Sequence, residues 1–174
     1  MGWVGTIALV YDNYWEQTAV GTGVKINGAT GIASASVVNA RYRRTSDNTI
    51  RGQWVSPGNL QTYTVTQRWN GSSWYDYAAY GWAASNSWGK SNSQVGGFNA
   101  AGISGYFRTS SQAWKFTNNA WRGGTGYSPY LYFSGLGLRA QVTDESSSGT
   151  SSVTSTPLAP PPSVRQAGNQ PPST

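Results

Sequence analysis

The stretch "QTYTVTQRW" (61–69), "NGSS" (70–73), "WYDYAAYGW" (74–82) decides the fold. Its first part alternates. Tyr63, Val65, Gln67 and Trp69 share one face of an extended strand, and Thr62, Thr64, Thr66 and Arg68 share the other. Asn70-Gly71 is a strong hairpin signal, because both residue types tolerate positive φ. The loop then sets Trp69 opposite Trp74, where the two rings can pair across the strands. The arrangement recurs in "KFTNNAW" (115–121): Lys115-Phe116 matches Arg68-Trp69, and Trp121 matches Trp74. Aromatic-tipped hairpins are thus a device the chain uses more than once.

Working outward, further short apolar or β-branched runs read as strands: "TIALVY" (6–11), "AVGTGVKI" (19–26), "SASVVNARYRR" (34–44), "SGYFRT" (104–109), "AWKF" (113–116) and "YLYFSGLGLRAQV" (130–142). In 34–44, Val38, Ala40 and Tyr42 face one way and Asn39, Arg41 and Arg43 the other. No capped helix of three turns is present. "AASNSWGKSNSQVGGFNAAG" (83–102) reads as a long Gly/Ser/Asn-rich loop. The expected fold is all-β: a single antiparallel β-sandwich or jelly-roll-like domain of about eight strands over residues 1–143. Large inward residues are needed for its core, and Leu, Ile and Phe are few. Tyr63, Trp69, Tyr106, Phe107, Tyr132 and Phe133 are the expected core.

Composition agrees. Charged residues make up 10% of the chain, far below the usual quarter, while Gly is at 22, Trp at 9 and Tyr at 11. The character changes at residue 144. "DESSSGTSSVTSTPLAPPPSVRQAGNQPPST" (144–174) has no aromatic residue and holds six of the eight prolines. It reads as an extended Pro/Ser/Thr-rich C-terminal tail with no core of its own. "PLAPPP" favours polyproline II, which suits docking along a partner, so Pro157, Pro160, Pro161 and Pro162 are partner-contact candidates.

Catalytic chemistry is sparsely provided. With no His and no Cys, the usual base, nucleophile, disulfide and zinc arrangements are missing. Residues 1–143 hold four carboxylates, Asp12, Glu16, Asp47 and Asp76. Glu16 and Asp76 could in principle form a glycosidase pair; the plainer reading makes Glu16 a surface residue or an arginine partner and Asp76 an outward hairpin residue. No phosphate loop, dinucleotide fingerprint or calcium loop occurs, and Asn70-Gly71-Ser72 reads as a turn rather than a glycosylation site. The chain is expected to be no enzyme and to need no cofactor or metal.

The net charge is +6. "ARYRR" (40–44) concentrates Arg41, Arg43 and Arg44, a surface for an acidic partner. The other basic residues are scattered singly, so nucleic acid is not an expected partner. Trp15, Trp54, Trp88, Trp114 and Trp121 lie in turn-rich segments and are expected at the surface, as protein contacts or sugar-stacking platforms. "MGWVGTIALVYDNYW" lacks the pattern of a signal peptide, and "IALVY" is too short to span a bilayer.

The leading expectation is a non-enzymatic structural or adhesive virion component, a bacteriophage head decoration or tail accessory protein. It would be made in the host cytoplasm and act on other virion proteins or copies of itself. The alternative is an extracellular carbohydrate-binding module or lectin-like domain that stacks a host-surface glycan on Trp and Tyr. No membrane partner is expected.

Overall fold

A computed structural model of the chain describes residues 2–135. Ten strands follow in order: β1 (Val4–Asp12), β2 (Glu16–Asn27), β3 (Gly31–Arg43), β4 (Ile50–Gly52), β5 (Leu60–Trp69), β6 (Trp74–Ala84), β7 (Ser91–Asn99), β8 (Gly105–Thr117), β9 (Ala120–Tyr127) and β10 (Leu131–Phe133). They form two five-stranded antiparallel sheets that pack as a β-sandwich, as the alternation and turn chemistry require. In the first sheet β1, β2 and β3 lie side by side, and β7 and β4 share the far edge of β3. In the second, β6, β5 and β8 lie side by side, and β9 and β10 share the far edge of β8.

Both aromatic-tipped hairpins form. Gly71 takes φ 101°, the Asn70 amide donates to the Ser73 carbonyl at 3.1 Å, and Trp69 pairs with Trp74 at 5.4 Å between ring centroids. In the second hairpin Asn118 and Asn119 both take positive φ, as a primed two-residue turn demands. Phe116 and Trp121 then pair at 5.3 Å.

Three strand readings are corrected. Residues 83–102 are not one loop, since Ser91–Asn99 pairs with β3 along nine residues, with Gly96 against the other sheet and Ser91 and Ser93 exposed. At Gly96 an added Cβ would lie 2.2 Å from the Tyr80 ring, so only glycine fits. The runs 104–109 and 113–116 are one continuous strand, β8. The expected strand 130–142 is seen as Leu131–Phe133, and its later part and the tail with Pro157, Pro160, Pro161 and Pro162 lie outside the described residues.

The larger correction concerns which way β5 faces. Thr62, Thr64 and Thr66 point between the sheets and are fully buried, while Tyr63 lies on the outer face against Trp82. Trp69 is buried, but on that outer face beside Trp74. Tyr106 is half-buried and Tyr132 is 50% exposed. Of the expected core, Phe107 and Phe133 do fill the interior. The space between the sheets is too thin for rows of rings: a Cβ added at Gly126 would lie 2.4 Å from a Val20 methyl.

The interior therefore has three parts. One end is apolar, with Val24, Ile26, Ile32, Ala100, Phe107, Leu131 and Phe133; another apolar cluster holds Val20, Val38, Ala40, Val55, Leu60 and Ala113. Between them lie buried hydroxyls. Ser34 and Thr66 share a hydrogen bond of 2.6 Å, Ser36 and Thr64 share another, and Thr109 Oγ1 lies 2.7 Å from both Ser34 Oγ and the Gly23 carbonyl oxygen.

Candidate binding cleft

Beyond the second apolar cluster, the sandwich ends in buried charge. Lys115 on β8 is fully buried, and its ammonium donates to the carbonyls of Gln17 (3.1 Å) and Arg41 (3.2 Å) and to Gln53 Oε1 (2.7 Å). It ties the second sheet to β2 and β3 of the first. Glu16 Oε2 stands 3.8 Å from that ammonium and 3.2 Å from Arg122 Nε, and the Thr117 hydroxyl and Asn118 amide also donate to the carboxylate. Burial pushes the Lys115 ammonium down to about 8; Glu16 opposes that shift and Arg122 adds to it. Glu16 is thus a structural anion with its valences occupied, not half of a glycosidase pair. Asp76 lies in the other sheet's outer face, on the Gln67 amide at 2.9 Å.

Above this floor opens a cleft of about 740 Å³, lined by Trp15, Glu16, Tyr42, Arg43, Arg44, Thr45, Arg51, Gly52, Gln53, Trp54 and Lys90. Four residues singled out in the sequence meet here: Trp15, Arg43, Arg44 and Trp54. The long β3 carries Tyr42 and Arg43 past the end of the core, the turn after it brings Arg44, and β4 folds back with Arg51. Trp15 is edge-on to Tyr14 at 4.7 Å and half exposed. Trp54 is 63% exposed, with the Lys90 ammonium 5.1 Å from its ring centroid. Arg41 lines an adjoining recess of about 340 Å³ together with Ile50, Arg51 and Lys90.

The guanidiniums differ in how far they are committed. Arg43 donates to the carbonyls of Tyr14 and Asn48 and lies 4.6 Å over the Tyr14 ring. Arg44 and Arg51 flank Asp47 at 3.6 and 3.4 Å. Hydrogen bonds from the Thr49 hydroxyl and amide hold the Asp47 carboxyl below its usual range, with Arg51 assisting.

The other tryptophans singled out lie elsewhere. Trp88 is 63% exposed, two residues before Lys90, and outside the cleft lining. Trp114 is buried on β8 opposite Gly123, with its indole N–H donating to Gln112 Oε1 at 3.2 Å; it is no surface platform. Trp121 is half-buried against Phe116. The cleft also needs Tyr42, which the sequence placed only on a strand face, and Arg51 and Lys90, which it left as isolated residues. The only signal for them was chain-local, and a cleft assembled from β3, β4 and the segment before β7 is not chain-local.

Two further surfaces are formed. On the outer face of the second sheet, Arg108 is held between the rings of Trp74 (4.5 Å) and Tyr127 (4.2 Å) and donates to Gln67 at 2.8 Å; burial pushes it down to about 10. The outer face of the first sheet carries a shallow groove lined by Trp3, Ile7, Gly21, Gly23, Ala35 and Val37 among others, with the Lys25 ammonium at its edge 4.7 Å over the Trp3 ring. Among the described residues no group of three or more His, Cys, Asp or Glu could hold a metal ion. Comparison with protein-family models, with curated proteins and with solved structures found no match.

Proposed function

We propose that the chain is a non-enzymatic structural and adhesive component of a virion, such as a bacteriophage head decoration or tail accessory protein, acting through contacts with other virion proteins or copies of itself. The outer face of the first sheet carries this reading. Cross-strand pairing lays down two rows there, Gly5–Gly23–Ala35–Val95 and Ile7–Gly21–Val37–Ser93, without a charge in either. Ile7 is 69% and Val95 66% exposed, with Trp3 and Leu9 also open. Contiguous apolar surface of this kind marks an interface. β1 is also the outermost strand of its sheet, and from Val4 to Val10 it bears no charge to discourage pairing. Permanent assemblies use more apolar interfaces than transient ones, which suits a virion surface. The test is assembly: Ile7→Asp with Val95→Asp should convert an oligomer, or a particle-bound subunit, into a free folded monomer.

One observation favours a second reading, a carbohydrate-binding domain placed extracellularly. The cleft presents Trp15, Tyr42 and Trp54 to solvent in one concave site, an arrangement on which the apolar faces of sugar rings can stack. The two readings use different surfaces and are compatible in one adhesive protein.

A further inference from the structure

The cations of the cleft are not equivalent. Arg43 is engaged by backbone carbonyls, and Arg44 and Arg51 share Asp47. Lys90 is different: its ammonium has no hydrogen bond or ion pair among the described residues and rests only against the Trp54 ring. The Arg41 guanidinium likewise has no partner there, and it lines the recess that Lys90 and Arg51 share with the cleft. Gly52 makes the junction possible. A Cβ at that position would lie 2.6 Å from Lys90 Cδ, so glycine lets the lysine stem lie along β4 with its charge between the two hollows.

We infer that the cleft and recess together bind an acidic glycan, a sugar chain bearing carboxylate or sulfate groups. Its rings stack on Trp54 and Trp15, and its anionic groups meet Lys90 and Arg41. This rests on the second reading above and names its ligand class. Two uncommitted cations beside exposed indoles suit a ligand with sparse charge and apolar ring faces. Charge-assisted contacts to carboxylate or sulfate are the strong ones in such a site. Single-stranded nucleic acid needs a run of cations that follows successive phosphates, and here the remaining arginines are already held by Asp47 and by carbonyls. An acidic peptide would use the charge but leave the indoles idle.

Calorimetric titration of the full chain tests this. The probes are an oligogalacturonate (carboxylate), a carrageenan oligosaccharide (sulfate), neutral maltohexaose, a short single-stranded DNA and a hexaglutamate peptide. At least one acidic oligosaccharide should bind about tenfold or more tighter than maltohexaose, a difference of about 1.4 kcal/mol. The carboxylate and sulfate arms identify which anion is taken. Lys90→Gln, Arg41→Gln and Trp54→Ala should each weaken that binding several-fold; Lys90 and Trp54 are exposed and Arg41 is half-buried with no side-chain partner among the described residues, so circular dichroism should show the fold unchanged. Ile7→Asp should leave it unaffected. Equal binding of neutral and acidic sugars would overturn the acidic preference while keeping the carbohydrate reading. Tighter binding of DNA or hexaglutamate, or affinity unchanged in all three variants, would overturn the inference. Binding of no oligosaccharide would remove both the inference and the second reading.

Discussion

The hydroxyls of Ser34 and Thr66 meet at 2.6 Å across the middle of the sandwich, where two sheets would ordinarily touch through aliphatic side chains. The contact is one link in a chain of buried hydroxyls. Thr109 Oγ1 stands 2.7 Å from both the Gly23 carbonyl and Ser34 Oγ, and its single proton serves these two acceptors. Thr66 shares its hydrogen bond with Ser34, and Tyr80, 2.9 Å away, shares another with Thr66. Burial without such partners would cost about 1–3 kcal/mol for each group.

Removing one link should therefore hurt more than removing a matched pair. Thr66→Val should destabilise the fold by about 1–2 kcal/mol, because Ser34 and Tyr80 lose a buried partner. Ser34→Ala should act similarly. The double variant should cost less than the sum of the two single changes, as neighbours in one network do. Urea unfolding of the four proteins measures this; strict additivity would mean that the hydroxyls are not coupled.

Close approach of the sheets gives a second expectation. Gly126→Ala puts a carbon 2.4 Å from a methyl of Val20, which is itself buried and unable to swing away. The change should cost about 1–3 kcal/mol, a typical penalty for overpacking. At the hairpin tip, Gly71→Val should cost a comparable amount for a different reason, since a β-branched residue resists φ 101°. Thermal melts of both variants check this, and a Gly126→Ala protein as stable as the parent would show that the sheets separate easily.

Lys115 sets a pH dependence. Its folded-state value is about 8 against an ordinary 10.5, with burial the main cause. Below pH 8 the group is protonated in both states and contributes no slope. Between about 8 and 10.5 the unfolded chain holds a proton that the folded chain has lost, so this site's contribution to stability rises with pH. Lys115→Met removes that contribution. Denaturant unfolding of the two proteins should show the parent gaining on the variant across this window, and parallel pH profiles would place the lysine near its ordinary value.

How much of this was legible depended on whether the signal was local. The hairpin "WNGSSW" and its echo "KFTNNAW" announce themselves, because Asn and Gly report positive φ within a few residues. The β-sandwich follows from alternation and turn spacing. Which face of β5 turns inward did not follow, because hydrophobicity ranks Tyr63 and Trp69 above Thr62, Thr64 and Thr66. The tight spacing between the sheets reversed that ranking, and spacing is set by Gly126 and Gly96 on distant strands. The same limit applies to the cleft. Trp15, Trp54, Arg43 and Arg44 could be singled out by exposure and charge, whereas Lys90 and Arg51 acquire meaning only once β4 and the approach to β7 fold beside β3.

The C-terminal sequence leads to its own experiment. Residues 146–174 have no aromatic residue to contribute to a core. Their removal should leave the thermal midpoint of the domain nearly unchanged and weaken assembly. Incorporation of the shortened chain at full occupancy would remove the tail from the assembly mechanism.

The central claim is that the apolar face of the first sheet joins the chain to its own copies or to other virion proteins. Sedimentation of the purified protein, alone and with a candidate virion particle, tests it directly when the parent is compared with Ile7→Asp, Val95→Asp and their combination. The parent is expected to sediment as an oligomer or with the particle, and the double variant as a folded monomer with an unchanged circular dichroism spectrum. A parent that is monomeric and free at every concentration, or a double variant that assembles as well as the parent, would contradict it.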